Sequence, residues 1–176
     1  MPPFRPRRPR PTPSPDPAPP AGDPHQDGLS LLARREWSAA RLRERLLEGT
    51  PDPAAVDAAI ERLVASGALD DRRTALAHAR TASRVKGRGR HRILRELAAL
   101  GIDDEVARRA VDEAVPADEH AAQLERALDR RLRGSIDDRA VRRVYASLVR
   151  LGYPPGEVAA ALRRRRHGAP DPEPGD

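Results

Sequence analysis

Between Arg72 and Arg95 the sequence carries nine basic side chains and no acidic one. Guanidinium and ammonium groups at that density suit one chemistry above others, charge-assisted hydrogen bonding to phosphates or carboxylates. Their spacing sorts them onto helix faces. Arg73, Arg80 and Arg84 recur at i, i+7 and i+11, one side of a helix with 3.6 residues per turn. On a helix starting near Arg88, the residues Arg88, Arg92 and Arg95 share a narrow sector, and Ile93, Leu97 and Leu100 take the opposite one. Lys86-Gly87-Arg88-Gly89-Arg90 joins the two helices, and its glycines permit a sharp turn or the close approach of a partner. Fifty-one residues further on, Arg139 and Arg143 repeat Arg88 and Arg92, and with Arg150 they lie opposite Val144, Leu148 and Leu151. An acid-free run of this kind repels itself and is relieved by a counter-ion or a partner. These residues, with Lys86, are therefore the candidate partner- and DNA-binding set. The run Arg163–Arg166 reads two ways, because cations at a helix C-terminus also complement the helix dipole.

Other chemistries find little support. There is no cysteine, which excludes disulfides, thiolate metal sites and a cysteine nucleophile. No Gly-x-x-x-x-Gly-Lys-Ser/Thr loop occurs, and Lys86-Gly87-Arg88-Gly89 follows no strand. His25, His78, His91, His120 and His167 do not pair at metal-ligand spacing. No pair of carboxylates stands isolated in an apolar setting. The expectation is a protein that is not an enzyme and uses no metal or cofactor. One Trp, two Tyr and one Phe argue against a base-stacking platform. No apolar run approaches the roughly 20 residues of a membrane span, and the basic N-terminus has no apolar segment of the secretory kind. A cytoplasmic monomer is expected.

The elements that must carry these side chains are helical. Apolar residues recur at three and four, as in Leu42 and Leu46; Val56, Ile60 and Leu63; Ile93, Leu97 and Leu100; Val144, Leu148 and Leu151. No stretch alternates with period two, so the fold class is all-α. Thr50-Pro51-Asp52-Pro53 breaks one helix pair, and Pro53 suits a first helical position. Ser66-Gly67, Gly101, Gly134-Ser135 and Gly152 mark further turns.

The chain is also self-similar at a shift of 51 residues. Leu42, Ile93 and Val144 align, as do Leu46, Leu97 and Leu148, the turn residues Thr50, Gly101 and Gly152, and the pairs ending in Ile60, Val111 and Leu162. Each unit has a helix upstream, at about 28–36, 72–85 and 117–133. The reading is three tandem three-helix repeats, 28–71, 72–116 and 117–166, stacked into an elongated, curved molecule. Eleven of the 19 prolines lie in residues 1–24, so residues 1–27 are expected as a disordered Pro/Arg-rich tail, and 167–176 as a disordered acidic one. In the first repeat Ser38 is placed to cap the second helix, and Trp37 to join the core.

Charge is unevenly divided among these parts. Residues 29–71 carry six arginines against eight acids, residues 72–116 eleven bases against six acids, and residues 117–166 twelve against seven. The basic surplus of the chain, +6 in all, therefore belongs to the second and third repeats. Only Lys86 among its 33 basic residues is lysine, a bias that looks compositional. Placement carries more information than the choice of Arg.

Several blocks of sequence resemble the RecX family of bacterial regulators of the RecA recombinase. They are Leu31-Leu32-Ala33-Arg34-Arg35-Glu36-Trp37-Ser38; Leu42-Arg43-Glu44-Arg45-Leu46-Leu47; Gly67-Ala68-Leu69-Asp70-Asp71-Arg72-Arg73; Lys86-Gly87-Arg88-Gly89 with Ile93, Glu96 and Leu97; and Leu148-Val149-Arg150-Leu151-Gly152-Tyr153. The resemblance spans about residues 29–166. It implies three tandem three-helix repeats and a non-enzymatic modulator of RecA. Such a protein lodges in the groove of the RecA filament on DNA and lowers its ATPase, strand-exchange and SOS co-protease activities. Weak direct DNA binding would accompany this. Two departures stand out. Thr74 and His78 occupy a helix where the family usually has aromatics, and Arg90 stands where the family has proline.

Overall fold

Short acids and a hydroxyl define most of the helix starts. The computed structural model describes residues 22–132 and 137–167. In it the side chains of Asp23, Ser38, Asp52, Asp70, Asp103 and Asp137 each accept a backbone N–H from the first turn that follows, satisfying donors that a helix leaves unpaired. The described residues form nine helices and no strand: α1 (Pro24–Leu32), α2 (Ala39–Leu47), α3 (Pro53–Ala65), α4 (Asp71–Arg84), α5 (Arg90–Ala99), α6 (Asp104–Ala114), α7 (Ala117–Asp129), α8 (Asp138–Leu151) and α9 (Pro155–His167). Helix α1 starts at Pro24, ahead of the residue 28 expected from sequence, because Pro24 takes a first helical position behind the Asp23 cap. Helix α5 starts at Arg90, so Arg88 precedes it. The segments 1–21 and 168–176, expected as disordered tails, and the Gly134-Ser135 turn lie outside the described residues.

Three separate apolar cores follow, one for each helix trio. The first gathers Leu31, Trp37, Leu42, Leu46, Val56, Leu63 and Leu69. The second centres on Ile93, Leu97, Ile102 and Val111, with Ala75, Ala79, Ala82, Ala107, Ala110 and Ala114 between α4 and α6. Alanine at so many facing positions lets those two helix axes approach closely. The third holds Leu124, Leu128, Val144, Leu148, Tyr153, Val158 and Leu162. The columns that align at 51 residues are core positions, since Leu46, Leu97 and Leu148 are all buried, as are Ala59, Ala110 and Ala161.

Successive repeats are joined by one contact made twice. In the first junction Ser38 Oγ donates to the Leu100 carbonyl (2.5 Å) and Arg41 Nη2 to the Ala99 carbonyl (2.6 Å). Fifty-one residues on, the Gly89 N–H donates to the Leu151 carbonyl (2.8 Å) and Arg92 Nη1 to the Arg150 carbonyl (3.4 Å). The end of each second helix thus docks on the start of the second helix one repeat earlier. Gly101 (φ +72°) and Gly152 (φ +95°) make this possible, for each takes the left-handed conformation and a Cβ on either would collide with the docked segment.

Candidate basic interface

The run that is acid-free in sequence is not acid-free in space, which corrects the expectation that it lacks counter-ions. Arg72 and Arg80 both reach Glu113 on α6 (3.4 Å each), Arg73 reaches Glu36 (3.4 Å), and Arg90 pairs with Asp112. Arg88 and Arg92 (3.0 Å) converge on Glu96, which His78 Nε2 also contacts at 3.1 Å. Burial pushes the Glu96 carboxyl up, but hydrogen bonds from Arg92, His78 and Arg88 outweigh it and hold the group below its ordinary range. Glu96 therefore locks the loop 86–89 onto α5. Arg73 has a further task, donating to the Gly67 and Ala68 carbonyls (3.2 and 2.9 Å) that follow α3.

Arg84, Lys86 and Arg95 are exposed and make no ion pair among the described residues. On α8, Arg139, Arg143 and Arg150 are exposed with no side-chain partner there, and Arg142 joins them. Of the ten residues singled out from sequence, Arg73, Arg80, Arg88 and Arg92 are thus engaged internally, and the other six present uncommitted charge. The run Arg163–Arg166 is mostly internal. Arg164 and Arg165 hold Glu125 (3.1 and 2.9 Å), Arg165 also holds Asp129 (2.6 Å), and Arg166 holds Asp138 (2.9 Å). The hydrogen bonds to Asp129 and Glu125 raise the Arg165 pKa above its ordinary value.

Sequence reasoning missed one group. Where α4 ends against α7, a cleft of about 180 Å³ is lined by Ser83, Arg84, Gly87, Glu119, Gln123, Arg126, Arg130 and Tyr153. Arg126 and Arg130 lie on a helix that also carries Glu119, Glu125 and Asp129, so the local charge looked balanced. Their i, i+4 spacing was the available signal. The two departures noted in α4 also find roles. Thr74 is buried and donates to the Trp37 carbonyl (3.1 Å), and His78 binds Glu96.

The described residues thus form a string of small helical repeats joined by backbone docking, with cations on the later members that have no partner among the described residues. Comparison with known proteins narrows this. Residues 70–111 match the family model for the second three-helix domain of RecX. The chain is 33% identical over 139 residues to the regulatory protein RecX of Thermobifida fusca, covering 77% of this chain and 74% of that one. It is 32% identical over 141 residues to the regulatory protein RecX of Syntrophotalea carbinolica, covering 76% and 90%. The crystal structure of RecX from Lactobacillus salivarius superposes with a TM-score of 0.70 at 16% identity, over 82% of this chain and 95% of that one, which shows a shared fold. The chain belongs to the RecX family of regulatory proteins.

Proposed function

We propose that this protein regulates a RecA recombinase in the cytoplasm without catalysing a reaction of its own. It binds RecA and the RecA–DNA filament as a monomer and lowers ATPase, strand-exchange and co-protease activity. The observation that carries the reading is the set of uncommitted cations, Arg84, Lys86 and Arg95 on the second repeat and Arg139, Arg143 and Arg150 on the third. Charge left unpaired within the fold is available for acidic side chains or phosphates on a partner. Arg73, Arg80, Arg88 and Arg92 support that surface from behind by fixing α4, α5 and the loop 86–89.

The test is ATP hydrolysis by RecA on single-stranded DNA with the purified protein added. Wild type is expected to inhibit, and R139E/R143E to lose most of that inhibition with unchanged helicity. Equal inhibition by both proteins would overturn the placement, and no effect of wild type would overturn the function.

The same cations favour a second reading, a general DNA-binding protein that contacts phosphates. That binding would weaken steeply with salt and need no RecA. If affinity for naked DNA equalled affinity for the filament, this second reading would replace the first.

A further inference from the structure

The cleft between α4 and α7 brings three cations together with one carboxylate, Glu119, among the described residues that line it. Arg84 ends α4, while Arg126 and Arg130 stand one turn apart at the end of α7. None of the three guanidinium groups makes an ion pair or a side-chain hydrogen bond among the described residues, and all three residues are exposed. Two like charges at i, i+4 destabilise a helix, and Arg84 adds a third from across the cleft. Glu119 also lines the space, but its Oε1 accepts from Gln123 Nε2 (3.3 Å), and one carboxylate against three guanidiniums leaves a surplus of positive charge. Arg84 and Arg126 stand in the last turns of α4 and α7, where the helix dipole favours a cation but supplies no counter-ion. Tyr153 is 1% exposed and lines the same cleft. Among the described residues its hydroxyl has one partner, the Gly87 carbonyl at 3.5 Å, the outer limit of a hydrogen bond. Burial raises the Tyr153 pKa although Arg130, Arg131 and Arg126 act to lower it, so the phenol keeps a proton to donate. The rest of the polar lining is satisfied, since Ser83 Oγ donates to Gln123 Oε1 at 2.9 Å.

We propose that this cleft is an oxyanion site, in which Arg84, Arg126, Arg130 and the Tyr153 hydroxyl take a phosphate-type group and so clamp the second repeat to the third. The donors fit that ligand. Guanidinium forks match the paired oxygens of phosphate, and a phenol supplies one more donor. The size fits as well. The cleft of about 180 Å³ has room for one phosphate group. Two walls of the site belong to the second repeat (Ser83, Arg84, Gly87) and the others to the third, so occupancy is coupled to docking of the two repeats. The site shares Arg84 with the surface proposed above, but its other donors lie outside that surface and its test requires no RecA. The same oxyanion chemistry is offered by free phosphate and by the phosphodiesters of a nucleic-acid strand.

The experiment titrates the full-length protein with inorganic phosphate and pyrophosphate at constant ionic strength. Binding is followed by calorimetry and by the unfolding midpoint against chloride. Saturable binding with a raised midpoint is expected. R126Q/R130Q should weaken it about tenfold or more, as the loss of charge-assisted hydrogen bonds requires, whereas R108Q/R109Q, which removes equal charge from α6 where Arg108 and Arg109 pair with Asp104 and Glu105, should leave it unchanged. Arg84→Gln gives an independent single-site test, and Tyr153→Phe should weaken binding several-fold. A short oligothymidylate then separates the sources. If it displaces pyrophosphate, the ligand is a strand phosphodiester; if pyrophosphate binds and is not displaced, it is a free phosphate. Either result upholds the oxyanion site. No saturable binding by wild type, or equal weakening by R126Q/R130Q and R108Q/R109Q, would overturn it.

Discussion

The two repeat junctions share a register and differ in chemistry. In the first, side chains do much of the joining. Ser38 reaches the Leu100 carbonyl, Asp71 accepts the Ala39 N–H (2.8 Å), Thr74 reaches the Trp37 carbonyl, and Glu36 faces Arg73. In the second, main chain meets main chain. The Gly89 and His91 N–H groups donate to the Leu151 and Gly152 carbonyls (2.8 and 3.1 Å), with no side-chain cap on α5. The first junction uses Ser38, Asp71, Thr74 and Glu36 in contacts within the fold. The second joins through more backbone hydrogen bonds, and beside it Arg84, Arg126 and Arg130 stand without partners among the described residues. A repeated contact can therefore keep its geometry while one copy acts only as a joint and the other also offers a surface.

The sharpest way to break this contrast is substitution of the glycines. Serine is normally as good an N-cap as glycine or better. At Gly89, however, a Cβ would run into the backbone of Gly152, which cannot move aside as a side-chain tip can. G89S is expected to lose about 3 kcal/mol of stability in urea unfolding, at the upper end of overpacking effects. Both variants meet a positive φ, but the Cβ of G152A also runs into the Arg92 backbone, whereas the Cβ of G101A meets chiefly the Ala40 Cβ. G152A is thus expected to be the more damaging of that pair. Equal losses would mean that the two junctions are equally tolerant and that the backbone contrast has no energetic weight.

A middle-sized effect is expected at Glu96. E96Q replaces a carboxylate that receives Arg88, Arg92 and His78, and hydrogen bonds to charged groups at a partly buried site suggest a loss of about 2 kcal/mol. The sign of its pH dependence follows from the lowered pKa of Glu96. A carboxylate with a folded pKa below its unfolded value, about 4.3, contributes stability that is full above that value. The contribution disappears as pH falls through the folded one. Wild type should lose stability over that acid range, and E96Q should lose less there. Identical acid limbs would show that Glu96 does not organise the second junction.

How far these features could be read in the sequence depended on their range. The helix periodicity and the core columns Leu46, Leu97 and Leu148 are local patterns repeated three times, and they were legible, as was the Ser38 cap; the Asp caps at Asp23, Asp52, Asp70, Asp103 and Asp137 came from the structure. The pairing of Arg72 and Arg80 with Glu113, or of Arg73 with Glu36, joins residues 33 to 41 positions apart. Those pairs exist because α4 packs on α6 and against the segment before α2, which no run of charges announces. Arg88 was misplaced by two residues relative to α5 because a glycine N-cap carries no side-chain signal. Arg126 and Arg130 were overlooked because neighbouring acids cancelled their charge in one dimension, although those acids do not neutralise it in three.

The smallest expected effect returns to the first junction. Ser38 Oγ accepts from the Arg41 N–H (3.3 Å) and donates to the Leu100 carbonyl (2.5 Å), in a site where the residue is 2% exposed. S38A removes both bonds and leaves that carbonyl unpaired. Arg41 Nη2 on the Ala99 carbonyl and Asp71 on the Ala39 N–H remain to hold the segment. The expected loss is about 1 kcal/mol, well below that of G89S at the matching position one repeat on. Both variants should be compared by urea unfolding and by amide exchange in α2 and α5. If S38A proved as costly as G89S and opened α5 as well as α2, the first junction would carry the cooperativity of the chain, and the second would be the dependent one.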